Sequence, residues 1–181
     1  MCLYNLILIS RRESLRRLAL AGCAGATALT TAISPSTIFG QPKSLTERDD
    51  DRDRDLSILL SALYLEHEAV EAYETGALTS LLPIEILRVG LAFQSDHQYH
   101  RDGLIKTIKS LGGTSLDAEE RYSFGRLNSV SDILKLARKL EHGAVDAYST
   151  LAANIKSKAI LEYAAHVLVD EVRHAVVLDS L

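Results

Sequence analysis

The chain has 181 residues, a formal charge of −4, three Pro, no Trp and 24% charged residues. That length supports one domain with a real core, and the weak acidity gives no reason to expect nucleic acid or an acidic membrane surface as partner. Cysteine occurs only at Cys2 and Cys23, ahead of any helical periodicity, so the folded part is expected to carry no disulfide.

Residues 1–33 read as a targeting segment. A cluster of arginines from Arg11 to Arg17 precedes weakly apolar residues from Leu18 to Ile33, rich in Ala, Gly and Thr. This run is too short and too weakly apolar for a membrane span, which needs about 20 residues, and it fits the apolar part of an export signal. Ser10-Arg11-Arg12, followed by Leu15 and Arg16, resembles the twin-arginine export signal, with Glu13 and Ser14 where its usual Phe would follow. The resemblance implies a protein exported to the periplasm or cell envelope, with Thr30 and Ala32 offering a cleavage point before Ile33. Leu20-Ala21-Gly22-Cys23 also resembles a lipoprotein processing box, in which case a lipid on Cys23 would hold the chain at a membrane. The stretch between Arg17 and Cys23 is shorter than the roughly 7–15 residues usual for such an apolar run, which favours the first reading. Residues 34–54, with Pro35, Pro42 and the charge run from Glu47 to Asp55, read as a solvated polar linker.

Residues 55–181 contain a repeat. Leu65 begins LEHEAVEAY and Leu140 begins LEHGAVDAY; Asp96 begins DHQYHRDGL and Asp170 begins DEVRHAVVL. The first blocks are 75 residues apart and the second 74, so one helical hairpin is written twice. Helix one is expected from about Asp55 to Leu82, and helix two from Pro83, whose ring suits a first helical turn, to about Leu111 before Gly112-Gly113. Helix three should follow the Asn128-Ser129 cap region and reach about Ile155, and helix four fills most of the remainder. Short connections within each hairpin and a long stretch between hairpins predict an all-α, four-helix bundle with one crossover.

Each predicted helix interrupts its own apolar seam with groups that can bind a metal. The seams run through Leu59, Leu63, Glu66, Val70 and Tyr73; through Phe93, His97, His100 and Leu104; through Ala137, Glu141, Ala144 and Tyr148; and through Leu161, Ala164, Leu168, Glu171 and Ala175, with His174 beside the last. Unpaired buried carboxylates cost several kcal/mol each, and no Lys or Arg lies on these seams. A metal ion, or a metal-free network of imidazole–carboxylate pairs, would balance them. Glu171 and His174, three residues apart, project the same way and can chelate one ion.

With these residues in place the sequence resembles the ferritin-like superfamily, which includes rubrerythrins and other di-metal carboxylate proteins. Its site takes a Glu from each of two helices and a Glu-x-x-His from each of the other two. The second hairpin fits with Glu141, Glu171 and His174. The first supplies Glu66 and His100 but has His97 where the family has Glu. More narrowly, the segment from Tyr122 to Tyr148 is similar to exported bacterial ferritin-like proteins with a twin-arginine signal. The resemblance implies one or two ions, iron or manganese, bound by Glu66, His97, His100, Glu141, Glu171 and His174. It also implies metal-centred redox on ferrous iron or on a small oxidant such as peroxide or oxygen, and a bundle that can form a homo-oligomer. A non-catalytic envelope bundle with a structural or decayed site is the alternative.

His97 cannot bridge two ions as a carboxylate does, because a neutral imidazole has one lone pair to give. Counted by hairpin, the second set has two anionic ligands against one in the first and is expected to hold its ion more tightly. Asp96 is a weaker substitute ligand, since Asp170 occupies the same place beside an intact Glu171. Tyr73 and Tyr148 lie seven residues beyond Glu66 and Glu141; core packing is the favoured reading, with hydrogen-bond donors behind the ligands or redox-active groups as the alternatives. His67 and His142 point off the seams towards interhelical contacts, and His166, without a repeat partner, reads as a surface residue.

Overall fold

The computed structural model of the protein describes residues 45–119 and 121–181; the targeting segment, Cys23 and most of the expected linker lie outside them. Four helices follow in order: α1 Leu45–Leu78, α2 Ile84–Ser110, α3 Val130–Asn154 and α4 Lys158–Asp179. No strand occurs among the described residues. The hairpins α1–α2 and α3–α4 pack internally and against each other, α1 mainly on α3, while α2 and α4 share the thinnest seam. This is the all-α, four-helix bundle of two hairpins and one crossover that the repeat implies. No helix among the described residues is long and apolar enough to cross a membrane.

The caps follow local chemistry. Pro83 sits at the N-cap of α2 rather than inside it, its carbonyl accepting from Leu87 N at 2.9 Å. At the other end Gly112 takes φ +79°, and Gly113 N donates to Ile108 O at 3.0 Å; a positive φ at that place closes a helix and suits glycine. The Ser129 side chain accepts from Asp132 N at 3.1 Å, and the Asp132 carboxylate accepts from Asn128 N at 3.2 Å and from the Ser129 hydroxyl at 2.8 Å. The two side chains together close the start of α3.

Helix α1, which also ends at Leu78 rather than Leu82, and the inward face of α4 differ from the sequence expectation. Helix α1 begins at Leu45 instead of Asp55, so the charge run is helical although its side chains are mostly solvated. No Pro or Gly lies between Lys43 and Glu74. Opposite charges a turn apart, such as Arg52 and Asp49 at 3.7 Å, add small support. Once the packed part of α1 has formed, extending it needs no new nucleus. The inward face of α4 is also rotated: Ile160, Ala164, Val167, Glu171, His174 and Leu178 are buried, while Leu161 is exposed. Steps of four and three through these six residues put Glu171 and His174 inward together, and Ile160 and Val167 go with them.

Apolar layers close both ends of the bundle. Leu63, Leu104, Ile108, Leu151 and Ile160 fill one end, and Phe93, Leu134, Ala137 and Leu178 cluster at the other. Asp55 fixes the first end. Its buried carboxylate accepts from Lys156 N and Ser157 N, both at 2.9 Å, tying α1 to the turn that starts α4. Asp55→Ala removes both acceptors from these backbone donors and is expected to cost about 1–3 kcal/mol. Thermal unfolding followed by circular dichroism should show a melting temperature several degrees lower, with Asp55→Asn falling between.

Candidate metal centre

Between the apolar layers the four helices turn their polar residues towards one point. Glu66 comes from α1, His97 and His100 from α2, Glu141 from α3, and Glu171 and His174 from α4; each is at most 2% exposed. The structure therefore brings all six sequence-predicted residues together. Their ligand atoms form two overlapping groups, Glu66–His97–His100–Glu171 and His97–Glu141–Glu171–His174.

The overlap changes the count of charges. Glu171 Oε1 lies 3.2 Å from His100 Nδ1, and Glu171 Oε2 lies 4.0 Å from His174 Nδ1. Its carboxylate faces both groups, so each contains two carboxylates and two imidazoles. Assigning Glu171 to its own hairpin, as the sequence reading does, misses that sharing because side-chain reach across the bundle axis is not visible in a repeat. His97 is the other shared residue. Its Nδ1 is 2.9 Å from Glu66 Oε2 and its Nε2 is 3.2 Å from Glu141 Oε1, so one ring spans the two halves.

The electrostatics follow from burial and proximity. Burial works against ionisation of Glu66, but the neighbouring His100 and His97 rings outweigh it and hold the carboxyl at about 2. Glu141 is likewise held low despite burial, by His174 and His97. Glu171 is pushed up to about 7 by burial, with Glu66 and Glu141 adding like-charge repulsion against His100 and His97. Burial would lower His97, yet hydrogen bonds to Glu141 and Glu66 raise it well above the imidazole range. His100, opposed by burial in the same way, is raised to about 10 by Glu171 and Glu66.

Two tyrosines cross between the hairpins. Tyr73 on α1 donates its hydroxyl to Glu141 Oε1 on α3, and Tyr148 on α3 donates to Glu66 Oε1 on α1. The packing role favoured from sequence is thus only half of what they do: Tyr73 also stacks on the His97 ring at 5.5 Å, while both hydroxyls orient carboxylates. Burial and the neighbouring carboxylates raise both phenols, so they stay protonated donors.

Asp96 and Asp170, equivalent in the repeat, lie outside the six. Asp96 Oδ2 is 3.0 Å from His174 Nε2, and Asp170 Oδ2 is 3.3 Å from His100 Nε2. The sequence signal was present, since both aspartates precede a histidine by four residues, but only the fold shows that each serves the other hairpin's ring. His67 meets the Leu116 carbonyl at 3.2 Å, His142 meets Asp179 at 3.1 Å, and His166 is exposed.

The donor set fits a metal ion. His100 Nδ1, His174 Nδ1, Glu141 Oε2 and both oxygens of Glu171 are buried and make no hydrogen bond. Buried polar atoms are ordinarily satisfied, and these five all belong to residues of the two groups. Mixed carboxylate and imidazole donors suit iron or manganese.

Similarity to known proteins agrees with this geometry. No curated protein matches the chain significantly. The fold resembles the crystal structure of a conserved hypothetical protein from Mycobacterium tuberculosis, with TM-score 0.67 and 20% identity over 72% of this chain and 91% of that one. It also resembles the crystal structure of ferritin-like, diiron-carboxylate proteins from Bacillus anthracis str. Ames, with TM-score 0.62 and 24% identity over 72% of this chain and 96% of that one. A family model described as "Ferritin-like domain" matches residues 54–181, which include the whole cluster of buried acids and histidines, and the chain belongs to that family.

Proposed function

We propose that this ferritin-like bundle binds one or two transition-metal ions, iron or manganese, in its core and serves as an exported metal-dependent oxidoreductase. Its reaction is then oxidation of ferrous iron or reduction of peroxide or oxygen. The observation that carries the reading is the set of buried atoms on Glu141, Glu171, His100 and His174 that face one another without a well-aligned hydrogen bond. The diiron-carboxylate description of the Bacillus anthracis structures supports it by analogy.

In this reading Glu66, His100 and Glu171 would hold one ion and Glu141, Glu171 and His174 the other, while His97, which belongs to both groups, would give its one lone pair to either of them. When bound, such an ion supplies one-electron exchange between its divalent and trivalent states. The chain's own contribution is positioning. Tyr73 and Tyr148 fix the rotamers of Glu141 and Glu66, and the apolar layers keep bulk water from the carboxylates. The second reading, a non-catalytic bundle, is favoured by one observation: both nitrogens of His97 already face carboxylates. Metal analysis of protein purified without added metal, followed by peroxide and ferrous-iron assays, separates the two.

If the core binds metal, its removal should destabilise the bundle. Ligand at a hundredfold excess over Kd adds about 2.7 kcal/mol, so a chelator is expected to lower the melting temperature by roughly 5–10 °C. Equal melting with and without bound metal would count against these ligands. Glu171→Gln tests the shared carboxylate. Loss of even outer partners weakens metal binding about 10–100-fold, and this change should weaken both binding steps by at least that much. Because Glu171 is a repelled buried acid, the metal-free variant is expected to melt at the same temperature or higher. Calorimetric titration and melting read the two effects separately.

Export by the folded-protein route rests on Arg11-Arg12 and the weakly apolar stretch after them. Replacing both arginines with Lys should leave the protein in the cytoplasm, as cell fractionation would show; unchanged export of that variant would remove the assignment.

A further inference from the structure

Arg173 lies at the mouth of the α2–α4 seam with one nitrogen between two carboxylates. Its Nη2 is 2.8 Å from Asp96 Oδ2 and 3.1 Å from Asp170 Oδ1. Those aspartates face His174 Nε2 and His100 Nε2 respectively, each across the seam from its own helix. We propose that Arg173 is one positioning clasp for both halves of the centre, holding the two aspartates that fix the His100 and His174 rings. The proposal rests on the metal-centre reading for its consequence, but its geometry stands in the metal-free protein.

The contacts run from the outer edge inward. A carboxylate that accepts a hydrogen bond from imidazole Nε2–H fixes the ring's rotation and directs Nδ1 the other way. The inward atoms are then His100 Nδ1, 3.7 Å from Glu66 Oε2 and 3.2 Å from Glu171 Oε1, and His174 Nδ1, 3.4 Å from Glu141 Oε2. Both are among the buried atoms without a hydrogen bond. An aspartate on a partly solvated helix face has several rotamers, and the guanidinium selects the one that reaches the ring.

The repeat gives this arrangement its particular form. Position 99 is the counterpart of 173, and a symmetric bundle would carry a second arginine there. Tyr99 occupies it instead and is 75% exposed. A single guanidinium therefore serves both aspartates, its Nη2 having one hydrogen for each. The three side chains are partly exposed, and such ion pairs add little to stability. The clasp is thus expected to act on ring orientation rather than on folding.

Two readouts test it. In metal-free protein, long-range proton–nitrogen spectra should show protected Nε2–H signals from His100 and His174. Arg173→Gln should lose both, with melting nearly unchanged, and Arg173→Lys should restore part of the protection. Asp96→Ala should release only His174, and Asp170→Ala only His100; these two carry the test if Arg173→Gln folds poorly. Titration with manganous ion should then show both steps weakened about 10–100-fold in Arg173→Gln. Ring signals unchanged in Arg173→Gln, or only one of them lost, would overturn the shared clasp whatever the metal does. Failure of the unmodified protein to bind manganous or ferrous ion would instead overturn the metal-centre reading, with the ring signals still deciding the clasp.

Discussion

Three carboxylates and three imidazoles share the middle of a core whose buried polar set, among the described residues, contains no Lys or Arg. An isolated charge in such a place is costly, and a half-satisfied polar network is worse than an apolar one. The rest of the bundle answers to this constraint. Apolar layers above and below make the site dry, four helices are needed to bring six side chains to one point, and the tyrosines and aspartates behind them satisfy one atom each on Glu141, Glu66, His174 and His100. Charge balance within the chain stays incomplete at Glu171, which is held near about 7 by its neighbours. The same crowding that makes Glu171 a poor isolated carboxylate makes it a suitable shared ligand.

His97 is where the arrangement departs from a symmetric di-metal carboxylate site. A glutamate there would add a fourth carboxylate to the core. The imidazole instead lies between Glu66 and Glu141 and meets both through hydrogen bonds. It lowers the repulsion that a metal-free core must tolerate, at the expense of a carboxylate bridge. Stability without metal and capacity for metal are therefore opposed at this one position, and the stacked Tyr73 ring holds His97 in the intermediate role.

Much of this was legible in the sequence because it rests on local periodicity. The duplicated blocks at Leu65 and Leu140, and at Asp96 and Asp170, identify the hairpins, and steps of three and four place Glu66, His97, His100, Glu141 and Glu171 inward. What was not legible depends on reach between helices. The sharing of Glu171, the crossing of Tyr73 to Glu141, and the pairing of Asp96 with His174 all join residues on different helices. The α4 seam was displaced because Leu161 and Ile160 are equally apolar, and only the joint burial of Glu171 and His174 chooses between them. The early start of α1 was missed for a different reason: composition reports that Asp49 to Arg54 cannot be a core, which leaves open whether they form a solvated helix.

The crossing tyrosines have a consequence for how such a centre arises. Tyr73 serves the glutamate of the second hairpin and Tyr148 that of the first, and each aspartate likewise attends to the other hairpin's histidine. Neither hairpin is complete alone. Reciprocal contacts of this kind are what two identical chains make across a twofold axis, where every contact occurs twice. In an ancestor assembled from two copies of one hairpin, position 97 and position 171 would have been a single codon, and so would 99 and 173. Two copies within one chain are free to differ, as His97 and Glu171, and Tyr99 and Arg173, do.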